Sequence, residues 1–367
     1  MKIKVIFSGG GTGGHVYPAI SLAHEVIKRH PTAEVLFVGA KRGLENQIVP
    51  GEGFRLLTLE ISSLPRRLSI EQLRTVYRAL RGLVGARKIL RDFSPDIVVG
   101  TGGYAAGPLL LAAALFGYPT LIHEQNAFPS LTNRLLSRFV DKVAVSHRAA
   151  TTFFPPHKVV VTGNPLRPAI LTADRDGARL RLNIPPLDKV LLVVGGSGGA
   201  RVLNEMFSAC YDDFTRKKVR IFHITGRRDY EAINKLAQDY LGPYLTLIEY
   251  ATNLPELLAA ADLVISRPGG TTAELAYLGK PSILIPAPIA AENHQYHNAK
   301  VFSEAGAAIL MEEHSLTPRL LGEKANEILF SEEQLSSMSR QAYSLAFPAA
   351  TTDICDLLEN LKKQHRK

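Results

Sequence analysis

The chain has 367 residues, long enough for two domains that each bury a core. With 46% hydrophobic and 21% charged residues it is neither disordered nor fibrous, and its two cysteines, Cys210 and Cys355, make neither a disulfide framework nor a cysteine-based zinc site. The net charge of +9 is uneven: residues 1–163 carry 20 Lys/Arg against 10 Asp/Glu, and residues 164–367 carry 23 against 24. A basic first half is expected to meet something anionic (nucleic acid, a phosphorylated substrate or an acidic membrane face), with a merely solvated basic surface as the alternative.

Taken in chain order, an apolar run at 3–7 passes at once into glycine and is too short for a secretory leader. Further β-branched runs at 35–38, 97–99, 120–122, 143–145 and 159–161 are separated by helix-length amphipathic stretches. The apolar stretch 109–116, between Pro108 and Gly117, falls far short of the ~20 residues needed to cross a bilayer. Neither secretion nor a transmembrane anchor is expected. The pattern repeats at 190–194, 219–224, 245–248, 263–266 and 282–285. Continuous apolar strands alternating with helices predict an α/β protein whose parallel sheets are covered on both faces.

Each half opens with a strand running into glycines, first Gly9-Gly10-Gly11-Thr12-Gly13-Gly14 and later Gly195-Gly196-Ser197-Gly198-Gly199. That duplication sets a boundary at Gly163-Asn164-Pro165, giving domains 1–163 and 164–346. Pro348 interrupts the helical stretch 342–361, so the last helix, within 347–367, is expected to kink and return to the first domain. Ligands of open parallel sheets sit beyond the carboxyl ends of the strands. The unusual motifs here all follow strands, and two such edges facing each other would make one interdomain cleft.

The first loop satisfies G-x-G-x-x-G before a helix, where glycines admit a phosphate to free N–H groups at the positive dipole end. A dinucleotide site would need an acid after the second strand, but Lys41 and Arg42 stand there; NAD is disfavoured and NADP stays a minority option. His15 opens the helix, where the dipole disfavours imidazolium and leaves a neutral base; a histidine that only hydrogen-bonds within the loop is the alternative. The second loop reads as another anion cradle, with Ser197 as an extra donor. Glu274, in a first helical turn, can accept two ribose hydroxyls or simply complement the dipole. Asp174-Arg175-Asp176 has the D-x-D spelling of metal-dependent sugar transferases but reads as a solvated loop. No histidine spacing supplies a ligand set, so no metal is expected.

Between Arg66 and Arg91 lie eight basic residues and one acid, Glu71. Ile70, Leu73, Val76, Tyr77, Leu80, Leu83 and Val84 recur at helical spacing beside Arg74, Arg78, Arg81 and Lys88. This suits a helix lying in an anionic interface, or one whose apolar face packs in the core, the reading that Gly82 and Gly85 favour.

Ser8 to Pro18, Gly102-Gly103-Tyr104, His123-Glu124-Gln125-Asn126, Gly163-Asn164-Pro165-Leu166-Arg167, Gly195 to Ala200 and Gln295-Tyr296-His297-Asn298 occur in the order of the MurG glycosyltransferase family of peptidoglycan synthesis, which the chain resembles over nearly its whole length. The resemblance implies the GT-B architecture: two Rossmann-like, doubly wound parallel-sheet domains facing across a cleft. It implies an inverting, metal-independent transferase without cofactor. That enzyme moves N-acetylglucosamine from UDP to the MurNAc C4 hydroxyl of lipid I, an undecaprenyl-diphosphate-linked MurNAc-pentapeptide, giving lipid II at the cytoplasmic face of the membrane. Its lipid-linked acceptor turns the reading of Arg74, Arg78, Arg81 and Lys88 to a face on the anionic membrane surface.

It further implies that His15 is the base and that Gly11, Thr12, Gly13, Gly14, Gly103 and Tyr104 hold the acceptor diphosphate. Donor contacts would come from Thr12, Gly13, Gly14, Asn126, Arg167, Ser197, Ala251, Gly270, Thr271, Thr272, Glu274 and Gln295. Among these, Ser197 would lie near the phosphates, Glu274 on the ribose, Asn126 and Gln295 on the sugar, and Ala251 near uracil. The glycine stretch before Glu274 is one residue shorter than the family's, although Leu275-Ala276 and Leu278-Gly279-Lys280-Pro281 keep register. Rivals are a UDP-sugar 2-epimerase of the same fold, an NADP-dependent oxidoreductase and a basic nucleic-acid-binding protein. The last lacks aromatic stacking motifs, and no nucleic acid partner is expected.

Overall fold

The computed structural model describes residues 3–59, 71–103, 105–196, 199–288 and 290–365, and for 71–81 and 291 the backbone alone. The chain divides into two compact units, Met1–Arg167 with Ala349–Lys367, and Pro168–Pro348.

The first unit alternates β1 (Lys4–Gly9), α1 (Gly13–Arg29), β2 (Glu34–Ala40), α2 (Glu45–Gly51), β3 (Arg55–Leu59), α3 (Glu71–Phe93), β4 (Ile97–Gly102), α4 (Ala106–Leu115), β5 (Thr120–Glu124), α5 (Leu131–Leu136), β6 (Lys142–Val145) and β7 (Val159–Val161). The strands form one parallel sheet in the order β3-β2-β1-β4-β5-β6-β7. Successive strand residues face opposite ways, so Val5 and Phe7 enter the core layer shared with α1, while Ile6 enters the layer under α3 and α4. A strand buried on both faces needs apolar residues along most of its length, which is why the central strands read as apolar runs while the edge strand β3 does not.

The second unit runs α6 (Pro168–Leu171), α7 (Arg175–Arg181), β8 (Val190–Val194), α8 (Arg201–Ser208), α9 (Tyr211–Arg216), β9 (Arg220–Ile224), α10 (Tyr230–Ala237), β10 (Leu245–Ile248), α11 (Leu254–Ala260), β11 (Leu263–Ser266), α12 (Thr271–Tyr277), β12 (Ser282–Leu284), α13 (His294–Glu304), β13 (Ala308–Leu310), α14 (Pro318–Leu329) and α15 (Glu332–Ser344). Its parallel sheet has the order β10-β9-β8-β11-β12-β13, the same winding as the first. In both sheets the order reverses beside the first strand, β1 or β8, which creates the crevice where open sheets bind ligands.

The terminal stretch is two helices rather than one kinked helix: α15 stops at Ser344 and α16 (Ala350–Gln364) starts afresh beyond Pro348. Ile354, Cys355, Leu358 and Leu361 of α16 are buried in the layer that holds α1. Each large apolar chain buried there contributes about 1.5–3 kcal/mol. Arg29 of α1 clamps the helix through Asp356 at 2.6 Å and Glu359 at 3.3 Å. The division between units falls after Arg167 rather than Gly163. The Gly163 carbonyl accepts from His123, Leu166 is buried, and the Arg167 guanidinium lies 5.2 Å from the Tyr17 ring centre, all within the first unit.

The Asp174-Arg175-Asp176 segment is solvated as expected, but only Asp174 stays outside a helix, since α7 starts at Arg175. Asp174 caps α7, its Oδ1 accepting from Gly177 N at 2.7 Å, and Arg175 pairs with Asp262 at 2.9 Å. Gly82 and Gly85 sit inside a continuous α3. Within the described side chains of α3, Ala86 and Leu90 are buried and Leu83 packs against the same layer, whereas Val84, Arg87 and Lys88 are exposed. The stripe expected to face one way is therefore split, Leu83 inward and Val84 outward. Side chains of Arg74, Arg78 and Arg81 lie outside the described residues. Among the described residues, no helix is long and apolar enough to cross a membrane.

Candidate functional site

In the first unit the expected residues gather at the carboxyl edge of the sheet. The pairing of β1 with β4 slips by one residue, from Ser8 opposite Gly100 to Gly9 opposite Gly102. This bulge lets Gly10 N donate to Gly102 O at 3.2 Å and lets Thr101 Oγ1 donate to His15 O at 2.7 Å. His15 Nδ1 lies 3.0 Å from the Gly10 carbonyl. Because a carbonyl only accepts, the proton sits on Nδ1 and the lone pair of the neutral ring on Nε2. Gly102 has φ +112°, and a Cβ there would fall 2.7 Å from His15 Cδ2 and 2.9 Å from Nε2, so only glycine lets the ring lie in this place. Thr12 and Gly13 start α1, whose first amides have no partner within the helix. Gly103 follows Gly102; Tyr104 lies outside the described residues.

Asn126 is placed by Glu124. The buried Glu124 carboxylate accepts at Oε1 from Asn126 N and Nδ2, each at 3.0 Å, and at Oε2 from Ser130 N at 3.2 Å and Asn133 Nδ2 at 2.7 Å. With both oxygens occupied by N–H donors, Glu124 orients its loop and the start of α5 and is not poised as a base. Behind it, His123 donates from Nε2 to Gly163 O at 3.1 Å and accepts at Nδ1 from Gln125 Nε2 at 3.0 Å. Gln125 Nε2 also donates to Thr101 O at 2.7 Å. The network ties the ends of β4, β5 and β7 together. Arg167 stacks on Tyr17 of α1 in this unit.

In the second unit the residues again line the carboxyl edge. Gly195 and Gly196 follow β8; Ser197 and Gly198 lie outside the described residues. Ala251 lies beyond β10. Gly270 precedes α12, whose Thr271, Thr272 and Glu274 form its first turn, and the Glu274 side chain is buried. Thr272 Oγ1 donates to Gly269 O at 2.8 Å. Gln295 Oε1 accepts from Ala287 N at 2.8 Å, and Asn298 Nδ2 donates to Pro268 O at 3.1 Å, so α13 holds both neighbouring loops.

A buried network that sequence reasoning missed supports this edge. Tyr211 donates to His223 Nδ1 at 2.6 Å, and His223 Nε2 donates to Asn204 Oδ1 at 3.1 Å. Asn204 Nδ2 in turn donates to Thr225 O at 2.9 Å and Asp229 Oδ2 at 3.1 Å. A Cβ at Gly199 would meet Thr225 O at 2.6 Å, so the loop lies directly on this network. No motif flagged these residues, since they are scattered over α8, α9 and β9.

Burial pushes the His123 and His147 imidazoles down to about 4 and His223 to about 3. A histidine held neutral in the fold binds its proton more readily once unfolded. Stability is therefore full above about pH 6.5 and declines as pH falls toward 4, where the folded protein also takes up protons. Urea midpoints measured at pH 7.5 and pH 5 should differ, with the lower midpoint at pH 5. Equal midpoints would mean that these rings are not held neutral.

The family model of the "Glycosyltransferase family 28 N-terminal domain" matches residues 5–145, and that of the "Glycosyltransferase family 28 C-terminal domain" matches residues 190–354. A protein of Halalkalibacterium halodurans is 41% identical over 363 residues, 98% of this chain and 100% of its own length. A protein of Bacillus cytotoxicus is 40% identical over 364 residues, 99% and 100% respectively. Both carry the name UDP-N-acetylglucosamine--N-acetylmuramyl-(pentapeptide) pyrophosphoryl-undecaprenol N-acetylglucosamine transferase. The crystal structure of MurG from Acinetobacter baumannii superposes with a TM-score of 0.76 at 29% identity, covering 98% of this chain and 99% of that one. A UDP-GlcNAc 2-epimerase from Neisseria meningitidis superposes at 0.67 with 18% identity, covering 98% and 100%, a likeness of fold alone. The two doubly wound sheets thus have the domain architecture of the GT-B enzymes.

Proposed function

The chain belongs to glycosyltransferase family 28, and from that premise we propose that it moves N-acetylglucosamine from UDP-N-acetylglucosamine to the MurNAc C4 hydroxyl of lipid I, giving lipid II. The observation that carries the reading is the pair of glycine loops at the two switch points, one for each phosphorylated substrate. The amides of Thr12, Gly13 and Gly14 hold the acceptor diphosphate, with Gly11, Gly103 and Tyr104 shaping its seat; Thr12, Gly13 and Gly14 also reach the donor. In the second unit Ser197 lies near the donor phosphates, Gly270, Thr271 and Thr272 contact the donor, Glu274 takes the ribose and Ala251 borders uracil. Asn126 and Gln295 contact the sugar, and Arg167 lies near the nucleotide. His15 takes the hydroxyl proton as the acceptor oxygen attacks C1 and UDP departs, inverting the anomeric carbon. Helix amino-terminal amides stabilise the charge that builds on UDP, with no magnesium required.

The test is transfer of labelled sugar to a short-chain lipid I analogue, with EDTA present and absent. Transfer in both supports the reading. Epimerisation of UDP-N-acetylglucosamine without transfer would replace it.

The acceptor's lipid tail calls for a membrane-facing surface on the first unit, and the enzyme works as a peripheral protein at the cytoplasmic face. Exposed Val84, Leu115, Phe116, Leu131, Leu135 and Phe139 support this, carried by α3, α4 and the α5 region, which pack in series. Among them stand Arg87, its guanidinium 4.9 Å from the Phe116 ring centre, and the exposed Lys88. Each basic chain near an anionic surface is worth ~1 kcal/mol. Replacing Arg74, Arg78 and Arg81 with glutamate should abolish sedimentation with anionic vesicles at low salt while UDP binding persists. Unchanged sedimentation would move the membrane face elsewhere.

A further inference from the structure

Glu45 opens α2, far from the first glycine loop in sequence and 1% exposed. Its Oε2 accepts from Gly11 N at 2.8 Å and its Oε1 from Ala40 N at 3.1 Å, so one carboxylate joins the loop after β1 to the end of β2. Three glycines make room for it. A Cβ at Gly10 would come within 2.4 Å of Glu45 Oε1, one at Gly43 within 2.1 Å of Oε2, and one at Gly39 within 2.7 Å of Cγ. Side chains essentially never approach so closely, so the strand end, the loop and the start of α2 are all shaped around this one group. Gly11 itself has φ +83°, the left-handed turn that swings its N–H back onto Glu45.

The consequence concerns which amides face outward. Gly10 N is taken by Gly102 O and Gly11 N by Glu45. His15 N and Val16 N both return to Thr12 O, at 3.1 and 3.2 Å. The donors left at the head of α1 are those of Thr12, Gly13 and Gly14. We infer that Glu45 is a positioning residue for the transfer reaction: it pins Gly11 so that these three amides converge on the acceptor diphosphate. The inference rests on the function proposed above. Being buried, Glu45 cannot touch the acceptor; it acts through the loop.

Its sign can be tested, because geometry and charge pull opposite ways. A carboxylate under an anion site repels the anion, so if charge were all it contributed, Glu45→Gln would tighten the acceptor. If Glu45 holds the loop, Glu45→Gln loosens it. Glutamine keeps the shape but offers an NH₂ group where one of the two backbone N–H groups needs an acceptor. Steady-state kinetics of the full chain, with UDP-N-acetylglucosamine and the lipid I analogue varied separately, should show kcat/KM for the acceptor falling about 10–100-fold. KM for the donor should rise less than kcat/KM for the acceptor falls, because most of the proposed donor contacts lie in the second unit, and the thermal midpoint should fall as one buried backbone N–H loses its acceptor. Gly10→Ala, which drives a methyl into the carboxylate, should reproduce the acceptor defect. Adding Gly10→Ala to Glu45→Ala should cost little beyond Glu45→Ala alone, because the pin is already gone and the smaller side chain vacates the space the methyl takes.

Unaltered or improved acceptor kinetics in Glu45→Gln would overturn the role. So would equal losses for donor and acceptor, or a double variant whose defects simply add. Absence of transfer by the unmodified protein would remove the proposed function and this role with it, whereas transfer with unaltered Glu45→Gln kinetics would remove the role alone.

Discussion

His15→Ala lowers turnover by about 10²–10⁴-fold and leaves UDP binding unchanged, the loss expected when a general base is removed. The ring is held on both sides: Nδ1 is tied to the Gly10 carbonyl, and the opposite edge lies against the Cα of Gly102. That leaves the basic lone pair on Nε2, at the head of α1 beside the amides proposed for the acceptor diphosphate. A base must be held in the right tautomer as well as the right place, and here one hydrogen bond sets both. UDP binding is spared because Glu274 and Ala251, the residues proposed for ribose and uracil, lie in the second unit, and the ring itself is assigned no nucleotide contact. Rapid-quench turnover and UDP calorimetry on the same preparation separate the two effects. Full turnover in His15→Ala would remove the ring from the chemistry. Glu124, with both oxygens filled by N–H donors, is a poor substitute, and Asn126 would be tested next.

Glu274→Ala weakens UDP about 10–150-fold, the worth of hydrogen bonds to a charged acceptor at about 1.5–3 kcal/mol, and leaves pyrophosphate binding nearly unchanged. The buried side chain sits in the first turn of α12, at the positive end of the helix, directly after the Gly269-Gly270 turn. Two roles compete there. A carboxylate that only complements the helix dipole contributes about 0.3–1 kcal/mol to folding, and its loss would lower the thermal midpoint slightly without discriminating UDP from pyrophosphate. A carboxylate that accepts ribose hydroxyls does discriminate, because pyrophosphate has no ribose. Equal affinities of the unmodified protein and Glu274→Ala for UDP would assign Glu274 to the dipole.

The glycine loops, the strands that lead into them and the alternation of strand with helix were all legible from local pattern. A strand buried on both faces must be apolar along most of its length, and a backbone that turns tightly into a helix must use glycine, so both leave a continuous mark in the chain. What escaped was one edge strand of each sheet, β3 and β13, whereas the opposite edges β7 and β10 were read. The strand β13 is apolar but only three residues long, Ala308 to Leu310, whereas β3 pairs on one side only and is mixed, with Arg55 and Thr58 exposed. With one partner strand and partial burial, no unbroken apolar run is required.

Of the residues proposed for the site, His15, the Gly102-Gly103 turn, Asn126, Glu274 and Gln295 were proposed from contiguous spelling. Glu45, Thr101, Asn133, Asn204 and His223 were not. They act through hydrogen bonds between elements far apart in the chain, 34 residues from Glu45 to Gly11 and 86 from Thr101 to His15, and such bonds leave no period or spacing behind. Asp174 shows the limit of local reading from the other side. Its D-x-D spelling and polar neighbours read as a loop, but Ala178 and Arg179 find burial in the second unit, and the segment coils into α7 with Asp174 as its cap. The sequence by itself determined the two-fold α/β winding, the placement of the glycine loops at strand ends and the family. Only the tertiary structure decided which amides of the first loop are already spent, which carboxylates hold loops, and which tautomer His15 adopts. Those depend on donors and acceptors that meet only after the sheet has brought distant segments together.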